Sequence, residues 1–540
     1  MLANFLFSLI TILISFCGIA YQFLISRVLI QFSQDEVLNQ SITLGVYLLA
    51  LGFGAALASR LSSVKNRQNL YLIEIAVSSL GILLVPLIYL FQMIKNIFFS
   101  NGTLGLFYGD KVVFQMQIFT FLIGLLTGFE LPMLMQLGQV RKTSGFSNSR
   151  VLALSYFGAL LGALFSAGLI FPKIDFISTG VLIGLISLIA ATLLGVMALD
   201  KINKMYLILI LLPISLAGTV IQLTPQFEQI FLKNYYVNIK IPEFSYYNMK
   251  TIYNFFSTLE PIERFTTNYQ IIDITPDKLM SQYDQESSFV LYLNNQVQFS
   301  RRDYQKYHET MVHGSINIAH KVPENVLILG GGDGLILAEL LKLEKIKSIT
   351  QVELDPLMIE LATFHPVLRE INNSVYSKNR VHLIYEDGFS YLQRNSNKYD
   401  AVFIDFPFPT SYDLSKLYSL EFYRVLKKSL AANAFFVFDA PIIINPDLIE
   451  LAQRPTPQDI ILSTLKAAEF TNIYGSGLSE SFYVVSLGTE KLKLDYEQLP
   501  NWLKNQTIAN LSVLNHALSS AEVSKNYVNS IFKPQKFIFK

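Results

Sequence analysis

The sequence holds a single cysteine, Cys17, set in an apolar run. A disulfide within the chain and a cysteine-ligated zinc site are therefore excluded. Charge is scarce too: 15% of the 540 residues are Asp, Glu, Lys or Arg, while 51% are hydrophobic. Soluble proteins carry about a quarter of their residues as charges, so this chain is not written for water throughout. Its hydrophobicity equally excludes a disordered chain. No basic stripe offers itself to nucleic acid, no acidic tail to cations, and the net charge is only +1.

The charge that exists is unevenly placed. Residues 1–224 contain 19 charged side chains and residues 225–540 contain 64, so two solvents are being addressed. Apolar runs near 4–26, 41–59, 70–94, 113–136, 151–172, 176–199 and 205–223 are each about the 20 residues needed to cross a bilayer. The expectation is a multi-pass α-helical membrane bundle of seven spans over 1–224, with lipid bilayer as its partner. The first run lacks a basic flank, is too long for a cleaved signal peptide and is followed by six more. Gly52, Gly54, Gly158, Gly162 and Ser166 read as positions where helices pack closely. Glu74, near the start of the third run, is expected to reach the interface. Glu130 lies deeper, two residues before Pro132, and reads either as a protonated carboxyl bonded to backbone that the proline frees or as a functional group.

Loops after the even spans carry Arg60, Lys65, Arg67, Arg141, Lys142, Arg150, Lys201 and Lys204; those after the first, third and fifth carry Arg27, Lys95, Lys111 and Lys173. Basic loops stay in the cytoplasm, which with seven spans would send the remainder of the chain outside.

Beyond the spans, 225–262 reads as a connector, 263–300 as a small β-subdomain, 301–490 as a Rossmann-like domain and 491–540 as a C-terminal helical extension. Val326–Gly330, Ile349–Glu353, Val381–Tyr385, Ala401–Asp405 and Phe435–Asp439 are β-rich, with helical patterns near 335–345 and 356–371. That alternation predicts a doubly wound, mostly parallel α/β sheet. Gly330-Gly331-Gly332-Asp333-Gly334 ends one strand and opens a helix, where glycines permit a tight turn and close approach of a ligand. The next strands end at Glu353, at Glu386-Asp387-Gly388 and at Asp405. Acids converging on one crevice repel phosphates and attract cations, which favours a sulfonium nucleoside carrying an amine over NAD or ATP.

These residues resemble the spermidine synthase (polyamine aminopropyltransferase) family, in its bacterial membrane-fused branch. The resemblance rests on Arg264-Phe-Thr-Thr-Asn-Tyr269-Gln270, Leu291-Tyr-Leu-Asn-Asn-Gln-Val-Gln298, Tyr307-His308-Glu309-Thr-Met-Val-His313, Gly330–Gly334, Val352–Asp355, Asp387-Gly388, Tyr399-Asp400 before Asp405, and Lys416-Leu-Tyr418-Ser-Leu-Glu-Phe-Tyr423. It implies a fold like that of S-adenosylmethionine methyltransferases. It also implies decarboxylated S-adenosylmethionine as co-substrate, with no permanently bound cofactor and no metal. By the same resemblance Gln270, Glu353, Asp387, Gly388, Gly330 and Gly332 hold the nucleoside. His308, Asp333, Gln298 and Tyr307 face the aminopropyl chain or the small-molecule polyamine, and Asp405 accepts the proton. A homodimer and a cytoplasmic catalytic domain at the inner membrane are implied as well, against the loop charges. The chemistry is coherent: a primary amine, with a pKa near about 10, attacks only after a base removes its proton.

The chain departs from that family in Asp405-Phe406-Pro407-Phe408-Pro409, where Phe408 stands at the position of a usual second acid. Thr410-Ser411-Tyr412 replaces a Gly-Pro, Leu335 replaces a second Gly, and Gly475–Val484 lacks the expected aromatic-Gly-Phe sequence. Asp439 or Asp413 is a candidate for the missing charge; a different, more apolar acceptor is the other expectation. Two other readings stay open: a methyltransferase of similar fold, and a membrane transport or sensing protein whose synthase-like domain binds without catalysis.

Overall fold

A computed structural model of the chain describes residues 2–32, 36–58, 60, 66–99, 111–140, 147–171, 173–197, 208–238, 254, 256–257, 259–276, 289–377, 380–409, 412–440, 442, 455–477, 481–499, 514–516, 518–535 and 537. It forms two compact units, Met1–Gln298 and Phe299–Lys540. Of the loop cations above, Lys65, Arg141, Lys142, Lys201 and Lys204 lie outside the described residues, as do Thr410, Ser411 and the side chain of Asp413.

In the first unit the apolar runs form α1 (Leu2–Ile30), α2 (Glu36–Ala58), α3 (Asn66–Phe99), α4 (Lys111–Gly128), α5 (Glu130–Val140), α6 (Asn148–Phe165), α7 (Phe176–Met197) and α8 (Leu211–Asn238). Seven segments are long and apolar enough to cross a membrane, α4 and α5 counting as one over Val113–Gln139. Small residues set the helix spacing. A Cβ on Gly54 would fall 2.2 Å from the Leu125 carbonyl oxygen; one on Gly158, 2.4 Å from that of Ile12; one on Gly162, 2.5 Å from that of Phe16. Gly52 differs from the expectation: nothing lies within 4 Å of its missing side chain.

Glu74 does not reach an interface. The helix starts two turns earlier, at Asn66, so Glu74 is 1% exposed and its Oε2 accepts the Ser187 hydroxyl of α7 at 3.0 Å. Glu130 opens α5 with its carboxyl beside that of Glu74. Pro132 sits in the first turn of α5, where its missing N–H breaks no helical bond.

No break falls at residue 224. α8 runs on through Pro225 to Asn238, and the β-subdomain follows later in the chain. There β1 (Glu263–Thr266), β2 (Ile271–Thr275), β3 (Val290–Leu293) and β4 (Gln296–Ser300) form a sheet in sequential order. Asn294 and Asn295, both at positive φ, make the two-residue turn between β3 and β4, a role asparagine tolerates.

Arg264 and Asp273 face each other across β1 and β2. The guanidinium donates two bonds of 2.7 Å to the Asp273 carboxylate, which is 0% exposed. Burial opposes the charge on Arg264, but the carboxylate prevails and raises its pKa. Tyr236 of α8 donates a further bond of 2.5 Å to Asp273, and the Asn295 side chain donates to the carbonyl of Gln31 at the end of α1. Gln229 exchanges two bonds with the Ile262 backbone. Sheet and helix ends thus share one polar seam.

The second unit holds a seven-stranded sheet of β5 (Asn325–Gly330), β6 (Ser348–Glu353), β7 (Val381–Tyr385), β8 (Tyr399–Asp405), β9 (Leu430–Asp439), β10 (Asn472–Ser476) and β11 (Phe482–Ser486). The order is β10-β11-β9-β8-β5-β6-β7, parallel from β9 to β7. β10 and β11 add an antiparallel edge to the expected parallel sheet. Both faces are covered, so β5 and β8 read as unbroken apolar runs. Strand order reverses between β5 and β8, which opens a crevice above their carboxyl ends.

Of the helical extension expected over 491–540, the described residues include helix at 514–516 and 518–519, a 3-10 turn, Lys525–Tyr527, and a bridge from Ser530 to Lys533. Ser524 caps the 3-10 turn, and Asn529 bonds the Ser415 and Tyr418 carbonyls.

Removing one partner of a buried ion pair costs about 3–5 kcal/mol, whereas replacing both with apolar residues is often neutral. Arg264→Met is therefore expected to lower the thermal unfolding midpoint of the detergent-purified protein markedly. The double change Arg264→Met with Asp273→Leu is expected to recover most of that loss.

Candidate active site

Four consecutive carbonyls of the glycine turn are held from behind. Gln351, in the middle of β6, donates from Nε2 to Gly330 O at 3.0 Å and Gly331 O at 2.7 Å. The Tyr376 hydroxyl lies 3.1 Å from Gly332 O and 3.2 Å from Gln351 Oε1, and Asn372 Nδ2 donates to Asp333 O at 2.9 Å. Gly330 and Gly331 adopt φ of +83° and +63°. A Cβ on Gly330 would lie 2.2 Å from the Asp405 carbonyl oxygen, and one on Gly332 would lie 2.8 Å from Glu353 Oε2. The turn thus seats two carboxylate-bearing strand ends at van der Waals range. Gln351, Asn372 and Tyr376 escaped the sequence reading. Gln351 is fully buried in the strand Ser348–Glu353, and its carbonyl partners lie about 20 residues earlier, which no local pattern announces.

Three of the expected residues meet at the β5–β8 crevice. His308, Asp333 and Asp405 each present a ligand atom within 4.8 Å of the others, a spacing that suits a compact cation, metal or ammonium. Burial pushes the Asp333 carboxyl up to about 6. Burial and then the Asp333 charge push Asp405 up to about 6, against the lowering influence of His308 and Tyr307. Burial lowers the His308 pKa, which favours its neutral form. Its Nδ1 lies 2.5 Å from the Tyr304 carbonyl oxygen. A neutral ring therefore donates there and leaves Nε2 as an acceptor.

Tyr307 donates toward Asp405, its hydroxyl 3.0 Å from Oδ1 and 3.3 Å from Asp439 Oδ2. Asp439, a candidate for the missing charge, therefore belongs to the site.

Glu353, at the end of β6, is 8% exposed, and burial pushes its carboxyl up to about 7. It accepts the Asp355 N–H at 2.9 Å. Asp387 caps the helix Gly388–Arg394 through Ser390 N at 2.9 Å, while Lys416 stands 3.6 Å from its other oxygen. Gly388 lies under Phe406, whose ring would meet a Cβ there at 3.1 Å. Gln270 and Gln298 belong to the first unit. Gln270 closes the turn before β2, accepting the Thr267 N–H on its carbonyl, and Gln298 sits in β4.

Residues 304–460 match the spermine/spermidine synthase domain. A polyamine aminopropyltransferase of Leptospira interrogans is 32% identical over 425 residues, covering 78% of this chain and 76% of its own. The chain belongs to the polyamine aminopropyltransferase family. A relative of the same name from Oceanobacillus iheyensis is 28% identical over 499 residues, 91% of this chain and 83% of its own. Polyamine aminopropyltransferase 1 of Streptomyces coelicolor is 30% identical over 439 residues, 80% and 75% respectively. The chain is thus an aminopropyltransferase, and the methyltransferase reading falls away.

From the sequence, Asp405 is expected to accept the proton, and with its pKa pushed up to about 6 it must be ionised to do so. Transfer at saturating donor is expected to fall as pH drops through about 6. Asp405→Asn is expected to slow transfer by roughly 10²–10⁴-fold, the usual contribution of a positioned base, with methylthioadenosine affinity retained. Transfer by that variant at the unaltered rate would remove Asp405 from the role.

Proposed function

We propose that the chain is a membrane-anchored enzyme that moves an aminopropyl group from decarboxylated S-adenosylmethionine to a primary amine such as putrescine, releasing methylthioadenosine. The observation that carries this reading is the meeting of Asp333, Asp405 and His308 at the strand-order reversal, with both carboxyls pushed up to about 6. Asp333 holds the donor's ammonium. Glu353 accepts the ribose hydroxyls, and Asp387, Gly388, Gly330 and Gly332 bed the nucleoside. His308 and Tyr307 border the polyamine. Asp405 removes the proton from the acceptor nitrogen, whose lone pair then faces the propyl carbon. Holding the two reactants in line supplies much of the remaining acceleration.

Seven segments of membrane-crossing length and composition support the anchor. So does the similarity to the Oceanobacillus relative: an alignment of 499 residues cannot fit within the residues after 224, so it extends into the helical region. The catalytic unit faces the cytoplasm, where the donor is made, although the loop charges favour the other side. A homodimer joins this reading on family resemblance alone.

Mass spectrometry of products, with both sulfonium donors and a panel of amines, tests the reaction. Methylthioadenosine and an amine heavier by one aminopropyl group are expected from the decarboxylated donor. Methylated amine from S-adenosylmethionine, or binding of methylthioadenosine without transfer to any amine, overturns it. For topology, a reporter fused after Lys540 is expected to be active only in the cytoplasm, and extracellular activity reverses the placement.

A further inference from the structure

β8 and β9 run parallel with Ile404 opposite Phe438, so Asp405 and Asp439 occupy the next step on neighbouring strands. Both carboxylates approach one phenol: Tyr307 Oη is 3.0 Å from Asp405 and 3.3 Å from Asp439. The phenol has one proton, so it satisfies one carboxylate at a time. Its ring is fixed against His308, at 4.8 Å between centroids, and Phe482, at 5.0 Å. Asp439 is 8% exposed, and a carboxylate so placed needs a positive partner when charged. Phe406, Pro407 and Phe408 follow Asp405, so the described start of the strand exit brings apolar side chains. Phe406 is turned toward Gly330 and Gly388 on the donor side.

We infer that Asp439 binds the acceptor amine. The reacting ammonium sits between the Asp405 and Asp439 carboxylates, and Tyr307 donates to whichever of the two is not engaged with it. This rests on the transferase reading and extends it to the acceptor. The charges balance: the donor brings a sulfonium and an ammonium, the acceptor one reacting ammonium, and Asp333, Asp405 and Asp439 face them.

In the transfer step Asp405 takes a proton from the ammonium. The freed lone pair forms the bond to the propyl carbon, and the carbon–sulfur electron pair leaves on sulfur as methylthioadenosine. The nitrogen ends as a secondary ammonium, with Asp439 still beside it while Asp405 carries the proton. Two carboxylates on one nitrogen let one act as base while the other holds the cation. The class of acceptor follows: a primary alkylamine recognised at its reacting end, so that a second ammonium is not what Asp439 reads.

The test is calorimetric binding of putrescine and of 1-aminobutane to the full-length protein loaded with methylthioadenosine. Asp439→Asn is expected to weaken both amines at least tenfold while methylthioadenosine affinity stays within twofold. Asp439→Glu, which keeps the charge, is expected to stay within about threefold for the amines. Unchanged amine affinity in Asp439→Asn overturns the inference. So does weakening of putrescine alone, which would place Asp439 at the distal ammonium. Equal loss in the Asn and Glu variants overturns it too, by showing that shape rather than charge matters, and so does a wild type that binds neither amine. Product formation is scored separately. Amine binding that depends on Asp439 without any product leaves this assignment standing and sinks the transferase reading; product with Asp439-independent binding does the reverse.

Discussion

The close approach of Gly330 to Asp405 is the contact on which the site depends. These residues are register partners at the ends of β5 and β8, where strand order reverses. A side chain at 330 would collide with the Asp405 backbone, and the two strand ends would part. With them together, the turn that follows Gly330 delivers Asp333 to the same crevice that Asp405 enters from β8. The raised carboxyl pKa values follow from that geometry: two acids are brought near each other and out of water by backbone, not by their own affinity.

Much of this was legible in the sequence because the signals are short-range. Acids at strand ends, glycines at a strand–helix turn and long apolar runs all carry their meaning within a few residues. The acids Asp333, Glu353, Asp387 and Asp405 fall at or just after strand ends, where the alternation of strands and helices put them. What escaped has a partner distant in sequence. Gln351 is an ordinary strand residue until the Gly330 turn folds over it, and Tyr376 lies in a turn whose target is 44 residues earlier. Glu74 was misplaced because hydropathy locates the apolar stretch and not the helix start. Its neighbour Ser187 is 113 residues away. Past the helical residues at 514–516 and 518–519, Ser and Asn side chains of the C-terminal segment bond the rest of the unit, contacts that local pattern does not reveal.

In the first unit a different economy operates. The helices meet closely through glycines that admit neighbouring backbone. The sheet attached to them is held by polar groups: Arg264 on Asp273, Tyr236 on Asp273 and Gln229 on Ile262. Packing without directionality and hydrogen bonding with strong directionality meet at the end of α8, where one continuous helix passes from the first regime to the second through Pro225.

The bond from Asn295 to the carbonyl of Gln31 sets an order of events during synthesis. Its two ends are 264 residues apart in the chain. α1 is made before the other helices of the unit, yet the side chain that closes its carboxyl end is translated only after all of them. At the rates at which chains are elongated, about 5–20 residues per second, that end stays open for roughly 13–50 seconds. The bundle therefore begins with one helix end unlatched, and the β3–β4 turn arrives late, as its clasp.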